Sequence, residues 1–391
     1  MSGVVGDGAG ATTPDAATVV ATRLGAHGLR GAGLPSLRDV VGHLGAVQSQ
    51  EFHPSLWGIA QRTAGTPSAA AAREAFSAGD LVRTHVLRPT WHTVLPDDVR
   101  WLLQLTAPRV HRLNRPYYPD LGGPAQDAAA TDLLAGAVAG GRHRTRAELA
   151  ALLASHGLPS SGIPFTYILM RAELDRVVIS GALRGKQQTY AAFDERVPAG
   201  YGPLGSTFDE DAALVELLRR YLRSRGLATV KDFAGWSGLT MTRTREGLAA
   251  LGAEVEQVVG VGGAASGLVL WRLVDGPPLT GTAGDVQVDL LQGYDEYFVS
   301  YKDSRDLARD PLSAEAPAVL PLRLPGTEES PFLHVVAVDG RVVGRWRHVL
   351  SARSLRLDTQ LFRPLTRAEQ RGFLVQAERL AAHWDVELEE A

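Results

Sequence analysis

The sequence predicts an α+β protein: three tandem winged-helix units, then a β-rich C-terminal part with a closing helix. Helix-spaced apolar runs followed by alternating, strand-like runs recur along the chain. Within 217–251, a helix stopped by Gly226 is followed by a short turn and a second capped helix, which is helix-turn-helix spacing. After Pro278 the composition shifts to strand material with an Asp339-Gly340 hairpin signal between alternating apolar runs.

Residues 1–14 read as a flexible tail. The first unit, 15–115, begins with LRDVVGHLGAV, whose helical spacing is broken by QSQEF. Pro54 then opens a second helical run in the position where proline is best tolerated. AAAAREAFSAG ends at Gly79, and LVRTHVLRPTWHTV alternates like paired strands with Pro89 at the turn. The stretch 116–139, rich in Pro, Gly and aromatic residues at its start, reads as a linker or ordered loop. The second unit, 140–205, carries the capping pair Thr145/Glu148, a helix in FTYILMRAELDRVVISGAL and a hairpin in LRGKQQTYAAF. The third, 206–278, places the recognition-type helix TMTRTREGL after TVKDFAGWSG, with VEQVVGV and LVLWRLV as wing strands. The rest, 279–391, reads as strands in VQVDLLQGYDEYFVSYKD, FLHVVAVDGRVVGRWRHV and LRLDTQLFRPL. A last helix carries Leu374, Ala377 and Leu380 on one stripe.

Composition excludes several classes. The chain has 391 residues, an apolar share of 45% and a charged share of 21%, as in globular proteins. No apolar run approaches the roughly 18 residues that span a bilayer, and no secretory signal is visible. Cysteine is absent, so disulfides and thiolate chemistry are excluded, and a cytoplasmic monomer is the expectation. His85 and His92 have no third ligand type beside them, and GVGGAASG lacks the ending of a phosphate loop. No metal, cofactor or membrane partner is therefore expected.

Net charge is −3, but charge is unevenly spread. Between Arg341 and Arg371 eight Arg face only Asp358 and Glu369, and a second basic stretch covers 217–247. Counterion release is local, so such faces suffice for double-stranded DNA. Arg243 and Arg245 on the recognition-type helix, and Arg341, Arg345 and Arg347 beside the DG hairpin, are the candidate DNA contacts.

AVQSQE, LVRTHVLRPTWHTV, LATVKDFAGWSGLT and LLQGYDEYFVSYKD, in this order and spacing, resemble the AlkZ-like DNA glycosylase family from about residue 15 onward. The resemblance implies tandem winged helices around a duplex and a functional Gln-apolar-Gln motif, Gln-apolar-Asp in the related YcaQ branch. Here the motif is Gln48-Ser49-Gln50, with Ser at the apolar position. The implied activity is excision of N-alkylated purines, bulky or crosslinking ones included, for DNA repair or self-resistance to a genotoxic natural product.

A purine alkylated at N7 is already cationic and departs without protonation. The enzyme's task is to support an oxocarbenium-like sugar and hold a water, which weak but positioned groups can do. In an extended segment Gln48 and Gln50 share one face; on a helix they would diverge by about 200°. The resemblance makes Gln48 and Gln50 the catalytic candidates, and their shared task favours an extended connector. His92, Asp295, Glu296, Tyr301 and Lys302 are candidate supporting residues, each with a bland alternative in packing or ion pairing. Lys302 as a Schiff-base nucleophile ranks below hydrolysis by a monofunctional glycosylase. The alternative function is a non-catalytic winged-helix DNA-binding protein such as a transcriptional regulator.

Overall fold

The computed structural model describes residues 13–121, 123–279, 285–313 and 334–389. Helix α1 (Ala16–Ala26) leads into α2 (Leu37–Leu44), β1 (Val47–Gln48), α3 (Phe52–Ala60), α4 (Ala69–Ala78), β2 (Val82–His85) and β3 (Trp91–Val94). These strands form a sheet ordered β1-β3-β2. After α5 (Pro96–Asn114) the same order returns as α6 (Pro124–Val138), β4 (Arg144–Thr145), α7 (Arg146–Ser155), α8 (Gly162–Leu174), β5 (Val178–Ser180) and β6 (Thr189–Ala192). Its sheet is ordered β4-β6-β5. Beyond the short α9 (Phe193–Arg196) come α10 (Glu210–Arg225), α11 (Val230–Ser237), α12 (Met241–Leu251), β7 (Val255–Val259) and β8 (Val269–Leu273). Ala228, between α10 and α11, bridges Trp271 of β8 and so stands where the first strand stands in the two earlier sheets.

The C-terminal part holds β9 (Val288–Leu291), α13 (Glu296–Val299), β10 (His334–Val338), β11 (Arg341–Leu350), β12 (Ser354–Leu361), α14 (Arg367–His383) and β13 (Glu387–Leu388). Its sheet runs β13-β12-β11-β10-β9. Asp339 and Gly340 both adopt positive φ, +46° and +75°, as a two-residue hairpin between right-twisted strands requires.

Local chemistry sets the helix ends. Thr145 with Glu148, Thr229 with Asp232 and Thr366 with Glu369 form reciprocal capping boxes. Gly79 and Gly238 terminate α4 and α11 in the left-handed region. At Gly238 a Cβ would stand 2.3 Å from the Leu87 carbonyl oxygen, so glycine lets the end of α11 press onto the β2–β3 turn.

Several elements differ from the sequence expectation. Most of the stretch expected as a linker, 116–139, is helical: α6 buries Ala130, Leu134 and Val138, spaced by four, in one core with α7 and α8. The flanking Pro and Gly residues obscure that stripe. Helix α8 stops at Leu174; Arg176 turns at φ +61°, and the β-branched run that follows becomes β5. DEYFVSYKD is not strand but the turn of α13, because Asp295 caps it through the Tyr297 N–H. Helix α3 starts at Phe52, so Pro54 sits inside its first turn, where its missing N–H is no loss. Leu374 is 53% exposed, and the buried face of α14 is Ala377, Leu380 and Ala381.

The largest core joins Trp101 and Leu102 of α5, Leu217 and Tyr221 of α10, Phe233 and Trp236 of α11, and Tyr301. A separate core under the C-terminal sheet joins Leu290, Trp346 and Leu380 to Trp57 of α3. The Trp57 indole N–H donates to the Leu290 carbonyl at 2.6 Å, which seats α3 on that sheet. Gln48, immediately before α3, is thereby brought to the junction of the first unit, α11 and α13.

Candidate active site

Gln48 is extended at the end of β1, Ser49 still bonds to β3, and Gln50 stands at the bend before α3. Gln48 pairs with His92 across β1 and β3 and is 6% exposed. Ser49 is buried: its N–H donates to the Trp91 carbonyl at 2.8 Å, and its hydroxyl lies 2.7 Å from Thr93 Oγ1. Those partners explain how a polar residue fills the apolar position of the motif. Gln50 is exposed, and its Oε1 accepts a long 3.4 Å bond from the Trp91 N–H.

Two arginines of the β2–β3 hairpin hold this segment. Arg83 Nε donates to the Ser49 carbonyl at 2.9 Å and Nη2 to the Gln50 carbonyl at 3.4 Å. Its guanidinium lies 4.5 Å over the Trp91 ring, and burial lowers its pKa to about 10, still cationic at neutral pH. Arg88 Nη2 donates to Gln48 Oε1 at 2.8 Å, while Nη1 donates to the carbonyls of Trp236 at 2.7 Å and Gly235 at 3.2 Å. Its Nη2 also lies 3.4 Å from His92 Nε2. His92 Nδ1 is 2.9 Å from the Thr90 carbonyl, so Nδ1 carries the hydrogen and Nε2 accepts from Arg88. Burial, and next the Arg88 charge, hold His92 well below its ordinary pKa, so the ring is neutral. Every hydrogen-bond partner of Arg88 among the described residues is neutral.

Glu296 completes the support. Its Oε1 accepts the Gln48 backbone N–H at 2.8 Å. Its Oε2 accepts from Trp236 Nε1 at 2.8 Å, the Ser300 hydroxyl at 3.0 Å and Arg225 Nη2 at 2.5 Å. Four donors thus bind this buried carboxylate, one at Oε1 and three at Oε2.

The other expected supporting residues lie apart from Gln48. Asp295 forms a buried two-point pair with Arg62, at 2.6 and 2.9 Å. The Tyr301 hydroxyl donates to the Arg225 carbonyl at 2.8 Å, and burial raises its pKa. Lys302 is exposed, with its aliphatic stem against Gly235, and no ion pair to it occurs among the described residues. Of the expected DNA contacts, Arg243 differs from a free cation: Glu210, Asp211 and Glu246 all bind it. Arg347 pairs with Asp358 at 2.9 Å, and Arg341 donates to the Arg309 carbonyl. Arg245 is exposed and Arg345 half-buried.

A groove of about 800 Å³ between α11, α12 and the β7–β8 hairpin, lined by Met241, Leu248, Val255 and Trp271, shares no residue with the glutamine site. Among the described residues, no group of three or more metal-ligand side chains occurs, and no helix is long and apolar enough to cross a membrane.

Arg83 and Arg88 escaped sequence reasoning. The available signal was an arginine pair inside LVRTHVLRPTWHTV, a half-buried strand pair with no acid of its own.

An Interstrand DNA cross-link repair glycosylase of Streptomyces sahachiroi is 29% identical over 333 residues, covering 81% of this chain and 83% of that protein. The solved structure of Streptomyces sahachiroi DNA glycosylase AlkZ superposes with a TM-score of 0.73 at 22% identity, covering 97% of this chain and 100% of that one, which establishes a shared fold. The family model described as DNA glycosylase AlkZ-like matches residues 41–383, a span that includes Gln48, Gln50, Arg88 and Glu296, and the chain therefore belongs to the AlkZ-like DNA glycosylase family.

Proposed function

We propose that this protein is a monofunctional DNA glycosylase that hydrolyses the N-glycosidic bond of cationic N-alkylated purines, N7-alkylguanine first among them, in double-stranded DNA. The observation that supports this most is the Gln48-Ser49-Gln50 segment, held by Arg83, Arg88 and Glu296 with its two amides side by side in sequence. A cationic purine leaves as a neutral base, taking the bonding pair, so no general acid is required. What remains is to place a water against C1′, and a positioned amide can do this without ionising. The carboxylate that touches the segment, Glu296, is bound by four donors, which fits a reaction that needs no carboxylate base.

The repeated element order supports reading 15–115, 140–205 and 206–278 as three winged-helix units, with α6 added to the second, followed by a β-rich part over 279–391. The name of the Streptomyces sahachiroi relative supports interstrand cross-links as a second substrate class. The deciding experiment measures free N7-methylguanine released from randomly methylated duplex DNA. Wild type should release it, and Gln48→Ala and Gln50→Ala should each slow single-turnover release by about 100-fold or more with duplex affinity kept. Tight duplex binding without any base release would identify a non-catalytic DNA-binding protein instead.

A further inference from the structure

We propose that the two glutamines have opposite hydrogen-bonding roles. Gln48 is a donor to an acceptor atom on the departing base, Gln50 is the acceptor that holds the water, and Arg88 is the positioning residue that enforces the division. This rests on the glycosylase reading and assigns chemistry within it.

A guanidinium only donates, so the atom of Gln48 facing Arg88 at 2.8 Å must be the amide oxygen. A reversed amide would set N–H against N–H. Arg88 is not free to follow such a reversal. Its Nη1 is fixed by the Gly235 and Trp236 carbonyls, and its Nη2 also meets His92, whose tautomer the Thr90 carbonyl fixes. Because these partners are neutral, the Arg88 charge is not cancelled by direct contact. It draws electron density from the Gln48 amide, weakening the oxygen as an acceptor and strengthening the N–H as a donor. Gln48 Nε2 makes no hydrogen bond among the described residues, although the residue as a whole is only 6% exposed. Gln50 is the reverse case. Among the described residues no cation is hydrogen-bonded to its Oε1, which accepts only the long bond from Trp91 and so keeps accepting capacity.

The division suits the reaction. The C1′–N9 bond breaks with its electron pair passing into the purine, the water oxygen bonds C1′, and the surplus water proton passes to solvent. Acceptor atoms on the base edge gain electron density during this step. A polarised N–H aimed at one of them therefore binds the transition state more strongly than the ground state.

Gln48→Glu separates the alternatives. The carboxylate would face Arg88, keep all acceptor capacity and remove the donor. If Gln48 held the water as an acceptor, this variant would be as fast as wild type or faster. The donor role predicts a saturated single-turnover rate at least tenfold below wild type, as low as that of Gln48→Met, with a melting temperature equal or higher because Arg88 gains a counterion. Gln50→Glu should retain far more activity than Gln48→Glu. Arg88→Met should also lower the rate, and adding it to Gln48→Met should lower it no further. A wild-type rate in Gln48→Glu overturns the proposal, even if Arg88→Met fails to fold. Weaker duplex binding with an unchanged saturated rate overturns it too, by moving the contact to a phosphate. If wild type releases no base from any alkylated duplex, the glycosylase reading itself fails; if Gln48→Ala is inactive while Gln48→Glu is not, only the division of roles fails.

Discussion

Glu296 Oε1 accepts the backbone N–H of Gln48 at 2.8 Å, although the two residues are 248 positions apart. The same carboxylate pairs with the buried Arg225. Removing one partner of a buried pair leaves the other charged and unsolvated, a loss of about 3–5 kcal/mol. Glu296→Ala should therefore lower the melting temperature sharply and abolish excision with it. Gln48→Ala, which leaves the Arg225–Glu296 pair intact, should cost much less stability. Denaturant midpoints for the two variants check the ranking, and equal midpoints would contradict it.

Gln50→Asp is a milder change than Gln50→Ala. It keeps an acceptor oxygen beside the water position and reproduces the motif of the sister branch. Single-turnover release of N7-methylguanine should place Gln50→Asp between wild type and Gln50→Ala; identical rates for the two variants would mean that Gln50 contributes only by filling space.

The cleavage product should be an abasic site in an intact strand. Lys302 is exposed and its stem rests on Gly235, so nothing desolvates its amine. Borohydride added during the reaction should trap no covalent protein–DNA adduct. A trapped adduct that disappears in Lys302→Ala would make the lysine a nucleophile.

Duplex binding should depend on Arg245 more than on its neighbour Arg243, whose charge is already met by Glu210, Asp211 and Glu246. Arg245→Ala should lower the slope of log affinity against log salt by about 0.9, the value for one phosphate contact. Arg243→Ala should change it less. Titrations at several salt concentrations report both slopes, and the reverse order would place Arg243 at a phosphate.

Acid should weaken the fold before it touches most carboxylates. Burial holds His27 and His92 well below 6.5, His383 near about 4 and His334 near about 3. The unfolded chain takes up these protons near 6.5, whereas the folded chain does not. Their contribution is thus complete above about pH 6.5 and is lost progressively as pH falls toward those lower values. Melting temperatures should be level above neutrality and decline from about pH 6.5 to about pH 4. A flat profile across that window would show these rings to be open to water.

Much of this architecture could be read from residue order. Capping pairs such as Thr145/Glu148, the stop at Gly79 and the Asp339-Gly340 turn are local signals, each decided by backbone needs within four residues. The extended state of Gln48 was also legible, in the break between the helical run before it and the one opened near Pro54. Helix α6 was not, since its apolar spacing lies in an alanine-rich run behind Pro and Gly. The supporting network was legible only in part. Glu296 stood among five candidates, and sequence could not separate it from Asp295, which serves Arg62 instead. Arg88 and Arg83 showed only as an arginine pair in strand material, because their partners, Trp236 and the segment 48–50, are far away in the chain. Local rules describe elements, whereas a buried cation is explained only by what packs around it.

The bond between Gln48 and Glu296 also has a meaning in time. During synthesis the glutamines leave the ribosome long before Trp236, which holds Arg88, and longer still before Glu296, which holds the strand. A nascent or truncated chain can thus own both amides without the contacts that hold Gln48. If Gln48 acts as proposed, base removal would have to wait until the last third of the polypeptide has met the first, and a half-made molecule could bind DNA without cutting bases from it.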